Sequence, residues 1–336
     1  MDLGTRVMWV TGALSLLGAC SDDGGRGGGG GSGVQGAAGP YFETAMFFKL
    51  DVTGVDKAAN SDAIIASLRA DGGWGNGDTM QIDFSFDVLG ADATTPMMSF
   101  EPKTDEFYDP DCDNVELPVP RGGNVEGEQG YSCDGDGDCH LLVFDKAAGS
   151  LFEMWRATIE GGTFRGGCLA VWNTRMTYGE ELRGLQCTSA DAAGFPISPM
   201  LFTADEVAAG TIDHAIRLIL PNDRITQSFV PPATHGTNTT GGSTAPSYGF
   251  HLRLKPSFDL ASLPNDGARV VARAMQKYGM YHSDGGNIAL TAQSDRYTTA
   301  TWEGLLEPRD LDVLTVEDFE VIDHGDPIPV TQQCAR

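Results

Sequence analysis

The sequence predicts a β-rich α+β fold, a single sandwich-like domain with a few packed helices. Three observations predict it. Apolar and polar residues alternate with period two in several short runs, the pattern of half-buried strands. Segments with helical spacing are few. Turn residues punctuate the chain at short intervals, and no strand–helix–strand alternation or internal repeat is visible.

The clearest strand is residues 81–88 (QIDFSFDV), which alternates throughout. Residues 140–145 (HLLVFD) and 150–159 (SLFEMWRATI), joined by Lys146-Ala147-Ala148-Gly149, read as a hairpin. Residues 215–220 (AIRLIL) form a strand stopped by Pro221, residues 250–254 (FHLRL) alternate again, and residues 288–291 and 318–322 add two short strands. Three helices are expected. Asn265 or Asp266 caps one in which Val270, Val271, Ala274, Met275 and Tyr278 share a face, with Gly279 at its left-handed end. Thr203 and Glu206 make a capping box for a short helix ending at Gly210. Asn60 or Ser61 opens another through Leu68.

The N-terminus reads as an export signal. Arg6 gives a positive start, and residues 7–19 are apolar or small and uncharged. That run is shorter than the roughly 20 residues a membrane-spanning helix needs and suits a signal-peptide core. It ends in Leu17-Gly18-Ala19-Cys20. This tetrad resembles the lipobox of bacterial lipoproteins, which implies cleavage before Cys20 and attachment of acyl chains to it. Ser21, Asp22, Asp23 and a Gly-rich run follow, a composition that cannot bury a core and serves as a tether. The expected organisation is a signal peptide over residues 1–19, a lipidated Cys20 with its tether over 20–40, and one extracytoplasmic globular domain over 41–336. The protein is thus expected in the bacterial cell envelope, held to a membrane through its lipid alone. Residues 231–246 (PPATHGTNTTGGSTAP) read as a long loop within that domain.

With Cys20 lipidated, six of the seven cysteines remain, an even number that suits disulfides in an exported chain. Sequence does not fix their pairing; proximity along the chain favours Cys133 with Cys139 and Cys168 with Cys187, leaving Cys112 for Cys334. No CxxC pair is present, so neither a zinc ribbon nor a thioredoxin-like centre is supported. The net charge of −25 repels nucleic acid and anionic headgroups, and no basic patch with aromatics offsets it. The chain also lacks G-x-S-x-G, H-E-x-x-H and P-loop signatures.

Two constellations could carry chemistry. In Cys133-Asp134-Gly135-Asp136-Gly137-Asp138-Cys139, three carboxylates alternate with glycines between cysteines. Ca²⁺ takes hard oxygen ligands on such turning backbone, so Asp134, Asp136 and Asp138 are candidate calcium ligands; a solvated acidic turn is the plainer alternative. Cys139 stands where an EF-hand requires Gly, and a strand follows, so the loop is no EF-hand. The second constellation spreads over several segments. Asp191, Glu153, His214 and His235 are candidates for acid–base catalysis. Arg217, Arg253 and Lys255 are candidates for binding a uronate or sulfate, with His251, Arg253 and Lys255 on one strand face. Each has a structural alternative: a hydrogen-bonded core histidine, an arginine paired inside the fold, an aspartate capping a turn.

Thr188-Ser189-Ala190-Asp191-Ala192-Ala193-Gly194-Phe195-Pro196-Ile197, Asp205-Glu206-Val207, the segment from Ile212 to Arg217, Pro231 to His235, Arg253-Leu254-Lys255, Tyr278-Gly279-Met280 and Asp284-Gly285 follow one another in an order that resembles a large group of exported bacterial proteins of uncertain role. The resemblance spans residues 115–323 and implies one domain outside the cytoplasm. It transfers no mechanism. The chain departs from the group's pattern at Asp213-His214 and over residues 281–286 (YHSDGG), where an Ala-Asp-Asn-Gly run is expected.

The functional expectation is a carbohydrate-active enzyme, a glycoside hydrolase or polysaccharide lyase with His/carboxylate chemistry, acting on an extracellular polysaccharide. The alternative is a non-catalytic surface module that binds a glycan or protein with help from calcium. Convergence of Asp191, His214, His235 and Arg253 in one cleft would favour the enzyme.

Overall fold

The computed structural model describes residues 34–135 and 137–336. Ten strands build two principal sheets: β1 (Ile82–Phe86), β2 (Val88–Ala91), β3 (Leu141–Asp145), β4 (Ser150–Met154), β5 (Leu169–Asn173), β6 (Ile216–Leu220), β7 (His251–Leu254), β8 (Met280–Gly285), β9 (Leu290–Gln293) and β10 (Phe319–Ile322). The six-stranded sheet runs β1-β9-β6-β8-β7-β10, and the four-stranded sheet runs β5-β4-β3-β2. With the helices α1 (Ser61–Ala70), α2 (Ala204–Ala209) and α3 (Asp266–Lys277), this is a β-rich α+β fold.

The run that reads as one strand over residues 81–88 is in fact two. Asp87 ends β1 in the large sheet and β2 begins in the small one. The Asp87 carboxylate is buried at this switch and accepts from Asn124 Nδ2 and Ser294 Oγ, with Arg296 Nη1 at 3.4 Å. Burial of both faces explains why β3 and β4 read as near-continuous apolar runs. One face (Leu142, Phe144, Leu151, Trp172) joins the main core with Ile82, Phe86, Ile216, Leu218 and Leu290 of the large sheet. The other (Leu141, Val143, Phe152, Leu169) builds a second core with Phe100, Leu117 and Phe164. The two sheets are therefore sandwich-like. Both are mixed: β1 with β9, β2 with β3 and β6 with β8 pair in parallel, an arrangement the local pattern does not announce.

The helices follow their caps. Asn265 accepts from Ala268 N at 2.8 Å to open α3, whose buried Val270, Val271, Ala274 and Met275 pack toward β7. Gly279, at φ +72°, ends the segment; a Cβ there would collide with the His251 ring. Thr203 and Glu206 form the expected capping box of α2.

Several expectations need correction. The signal peptide, Cys20 and most of the tether lie outside the described residues. The tether expected through residue 40 ends earlier, because Ala37 N donates to Val88 O at 2.7 Å and Gly90 N to Gln35 O at 2.8 Å, laying residues 35–37 along β2. Of the three cysteine pairs, Cys133 with Cys139 is present, but the other two are Cys112 with Cys168 and Cys187 with Cys334. The loop carrying Cys112 runs beside β5, where Asp113 N donates to Leu169 O at 2.8 Å. The C-terminus returns to Leu185, which accepts from Ala335 N at 3.0 Å. Folding, not sequence distance, sets these neighbours. Three disulfides mark an oxidising, extracytoplasmic setting. No helix among the described residues is long and apolar enough to cross a membrane.

Candidate functional site

Arg217 is the second residue of β6, an interior strand of the six-stranded sheet, and is almost wholly buried. A buried guanidinium requires acceptors for its fork of donors. Nη2 donates to Asp191 Oδ1 at 2.8 Å and Nε to Asp191 Oδ2 at 3.2 Å, a bidentate pair. Nη2 also reaches Asp284 Oδ2 at 3.2 Å, and Nη1 reaches Thr291 Oγ1 at 3.3 Å. The Phe86 ring lies 5.5 Å from the guanidinium carbon. Burial opposes the charge on Arg217, but Asp191 and then Asp284 hold its pKa above the ordinary value.

Asp191 sits in the turn of residues 188–194. Cys187 bonds the chain just before it to Cys334, Thr188 N donates to Asp111 Oδ2 at 2.8 Å, and Ser189 Oγ donates to Phe195 O at 2.6 Å. Gly194 adopts φ +80°, and a Cβ there would collide with Thr234 Oγ1.

Asp284 arrives by a different device. Strands β6 and β8 pair in regular parallel register from Ile216 with Met280 to Leu218 with His282, then shift so that Ile219 faces Asp284. Ser283 is the extra residue of a β-bulge, and its carbonyl accepts from Ala193 N at 2.8 Å. The bulge brings the end of β8 against the Asp191 turn. Asp284 Oδ1 accepts from Gly285 N at 2.7 Å. Its side chain keeps 25% of its exposure and lines a cleft of about 690 Å³. Burial, and then the nearby Asp191 carboxylate, push its pKa up to about 7, against the pull of Arg217.

A second buried ion pair stands behind the first. His140 Nδ1 donates to Glu126 Oε2 at 2.6 Å and Nε2 to Ala190 O at 3.2 Å, beside Asp191. Both ring nitrogens face acceptors, which fits the imidazolium. Burial works against that charge, but Glu126 outweighs it and raises the His140 pKa. Burial likewise opposes the Glu126 charge, and His140 lowers its pKa all the same. Phe86 has the His140 ring at 5.3 Å and the Arg217 guanidinium at 5.5 Å, so one aromatic ring neighbours both cations.

Tyr108, Trp155, Asp111, Asp138, His235 and Asp284 are prominent in the cleft lining. Tyr108 is 46% exposed. His235 has both ring nitrogens engaged, Nδ1 with Ala192 O at 2.8 Å and Nε2 with Gln332 Oε1 at 2.9 Å. Gln332, held at φ +59°, thereby ties the C-terminal segment to the cleft edge.

The expected site residues do not converge. Asp191 and Arg217 meet, but as a buried ion pair, and His235 lines the cleft beside them. Glu153 lies elsewhere, fully buried, accepting from Trp172 Nε1, Ile197 N, Ser198 N and Ser198 Oγ at 2.7–3.0 Å. Burial raises its pKa, and the four donors organise the turn at residues 197–200. His214 stands 3.3 Å from Glu206 in a separate groove of about 740 Å³. Arg253 forks onto Glu320 Oε1 at 2.7 and 3.0 Å and caps Val55 O, while Lys255 bonds Glu317 O at 2.6 Å. Neither lines the Asp284 cleft, so the expected uronate-binding pair is not formed there. Glu126, His140 and Tyr108 were not singled out in the sequence, and Asp284 entered only through the resemblance, with no role assigned. The local signal for Asp284 is an acid–glycine step at a strand end, which is common in chains generally.

Of the expected calcium ligands, Asp136 lies outside the described residues, and Asp134 and Asp138 are exposed. The donor group that does assemble is Glu128 with Cys133 and Cys139, within 4.8 Å of one another. Its two sulfurs form a disulfide, so neither is a thiolate ligand, and a single carboxylate remains where Ca²⁺ takes six to eight oxygens.

Comparison with known proteins finds no protein-family model, no curated protein and no solved structure that matches this chain, so the chemistry of the cleft itself carries the functional reading.

Proposed function

We propose that the domain is a glycan-cleaving enzyme of the cell envelope that uses Asp284 as its proton donor. One observation carries the reading: a partly exposed carboxyl with a pKa near 7 on the wall of a cleft of about 690 Å³. An acid that keeps its proton close to neutral pH can protonate a glycosidic oxygen as the bond breaks. Asp111 and Asp138 are carboxylates in the same cleft for the role of base or nucleophile, and Tyr108 and Trp155 give aromatic surface for a sugar ring. The Leu17-Gly18-Ala19-Cys20 tetrad supports attachment to a membrane through lipid on Cys20, and the charge of −25 argues for a polysaccharide partner over nucleic acid.

The test incubates the disulfide-bonded protein with neutral, amine-bearing, uronic and sulfated polysaccharides and reads new reducing ends. Release is expected from the wild type and about 10²–10⁴-fold less from Asp284→Asn. Release that survives in the variant, or no release from any polysaccharide, contradicts the reading.

The engagement of both His235 nitrogens, and of Asp191 with Arg217, favours a second reading, a glycan-binding module without catalysis. In that reading glycans are retained without being cut, and EDTA releases them where Ca²⁺ on the Cys133–Cys139 loop takes part.

A further inference from the structure

We infer that the Asp284 cleft selects amine-bearing glycans, oligomers of glucosamine type, over uronic or sulfated ones; this rests on the glycan reading above and names its substrate class. The acidic side chains lining the cleft are Asp109, Asp111, Asp138 and the proton-holding Asp284, and among the described residues no Lys or Arg lines it. The arginines nearby are engaged by carboxylates of the protein itself. Arg217 forks onto Asp191, and Arg183 and Arg336 both bind Asp113. Arg156 pairs with Glu106 at 3.1 Å and lies over the Trp155 ring at 5.6 Å. A uronate or sulfate entering the cleft therefore meets like charges and no guanidinium fork to receive it. An ammonium group instead brings three donors to the carboxylates of Asp109, Asp111 and Asp138, which only accept. Tyr108, 46% exposed on the same wall, adds a ring face suited to a cation and to a sugar.

Exposed ion pairs are individually weak, about two- to fivefold in affinity each, so two or three of them give a preference on the order of tenfold. The test is equilibrium binding, read by tryptophan fluorescence at about pH 6, where amines are charged and ordinary carboxyls ionised. The probes are glucosamine, N-acetylglucosamine and galacturonate oligomers of equal length. The glucosamine oligomer is expected to bind on the order of tenfold more tightly than its acetylated counterpart, with galacturonate weakest, and added salt should shrink the preference. The double variant Asp109→Asn/Asp138→Asn, with both positions exposed, should reduce it several-fold. Equal binding of acetylated or uronic oligomers, or no binding of any of them, overturns the inference. Amine-selective binding without cleavage supports this inference while overturning the hydrolase reading. Cleavage with no preference for amines supports that reading while overturning this inference.

Discussion

Arg217 reaches Asp284 with the same nitrogen that holds Asp191: Nη2 stands 2.8 Å from Asp191 Oδ1 and 3.2 Å from Asp284 Oδ2. One buried cation thus joins a carboxylate sealed in the core to a carboxyl that opens on a cleft. The Asp191 charge raises the Asp284 pKa and the Arg217 charge lowers it, and burial tips the balance upward.

The two acids should differ sharply in their effect on stability. Asp191→Ala leaves the Arg217 guanidinium buried with its bidentate partner gone, a loss of about 3–5 kcal/mol. Asp284→Asn keeps that partner and should cost less than about 1 kcal/mol. Urea denaturation of both variants checks this; equal losses would show that Asp191 is not the principal counter-ion.

Asp284 also predicts a pH dependence of stability. Its pKa rises from 3.8 to about 7 on folding, so between those values the native state holds more proton than the unfolded chain. The contribution of this group is therefore fully present below about pH 4 and is lost as pH rises through about 7. Asp284→Asn should remove that downward slope. Denaturation midpoints measured across this window, wild type against variant, give the comparison, and parallel curves would contradict the assignment.

His140 should carry its proton above its ordinary range, because Glu126 outweighs the cost of burial. With the folded pKa raised above 6.5, its contribution to stability is present below that value and is lost as pH rises through the folded pKa. Nitrogen NMR of the ring across a pH titration should show both nitrogens protonated to a pH above the ordinary 6.5. A ring that loses its proton at or below 6.5 would break the paired-charge description of the site.

The Cys187–Cys334 disulfide closes a separation of 147 residues and holds the segment that carries Gln332 to the cleft edge. Replacing both cysteines by serine should cost about 2–5 kcal/mol. It should also expose residues 328–336 to proteolysis well before the rest of the domain. Digestion followed by mass spectrometry reads both; an unchanged cleavage pattern would mean that the hydrogen bonds of Ala335 and Gln332 suffice.

Local signals carried most elements of the fold. The Asn265 cap, the Gly279 stop and the Thr203 capping box lie within a turn or two of what they control, so their chemistry is visible in the sequence. Contacts between distant residues are not. The alternation of residues 81–88 gives no sign that Asp87 passes the chain from one sheet to the other. The cysteine pairs depend on a loop lying along β5 and on the return of the C-terminus. The site is a harder case of the same kind. Asp191 and Arg217 were visible as residue types but not as partners, 26 residues apart. Asp284 owes its place to a one-residue bulge, and its raised pKa to burial and then to a neighbour 93 positions earlier in the chain. Glu153, His214 and Arg253 are chemically capable residues whose partners Ser198, Glu206 and Glu320 direct them to other tasks.

Titration of the Asp284 carboxyl carbon by NMR between about pH 3 and 9, assigned by comparison with Asp284→Asn, reads directly whether this group holds its proton to neutral pH. The midpoint should lie near 7, with a shift to lower pH when Asp191→Asn removes the neighbouring charge. A midpoint near the ordinary 3.8 would contradict the proton-donor assignment, leaving the cleft without an acid able to donate a proton at neutral pH.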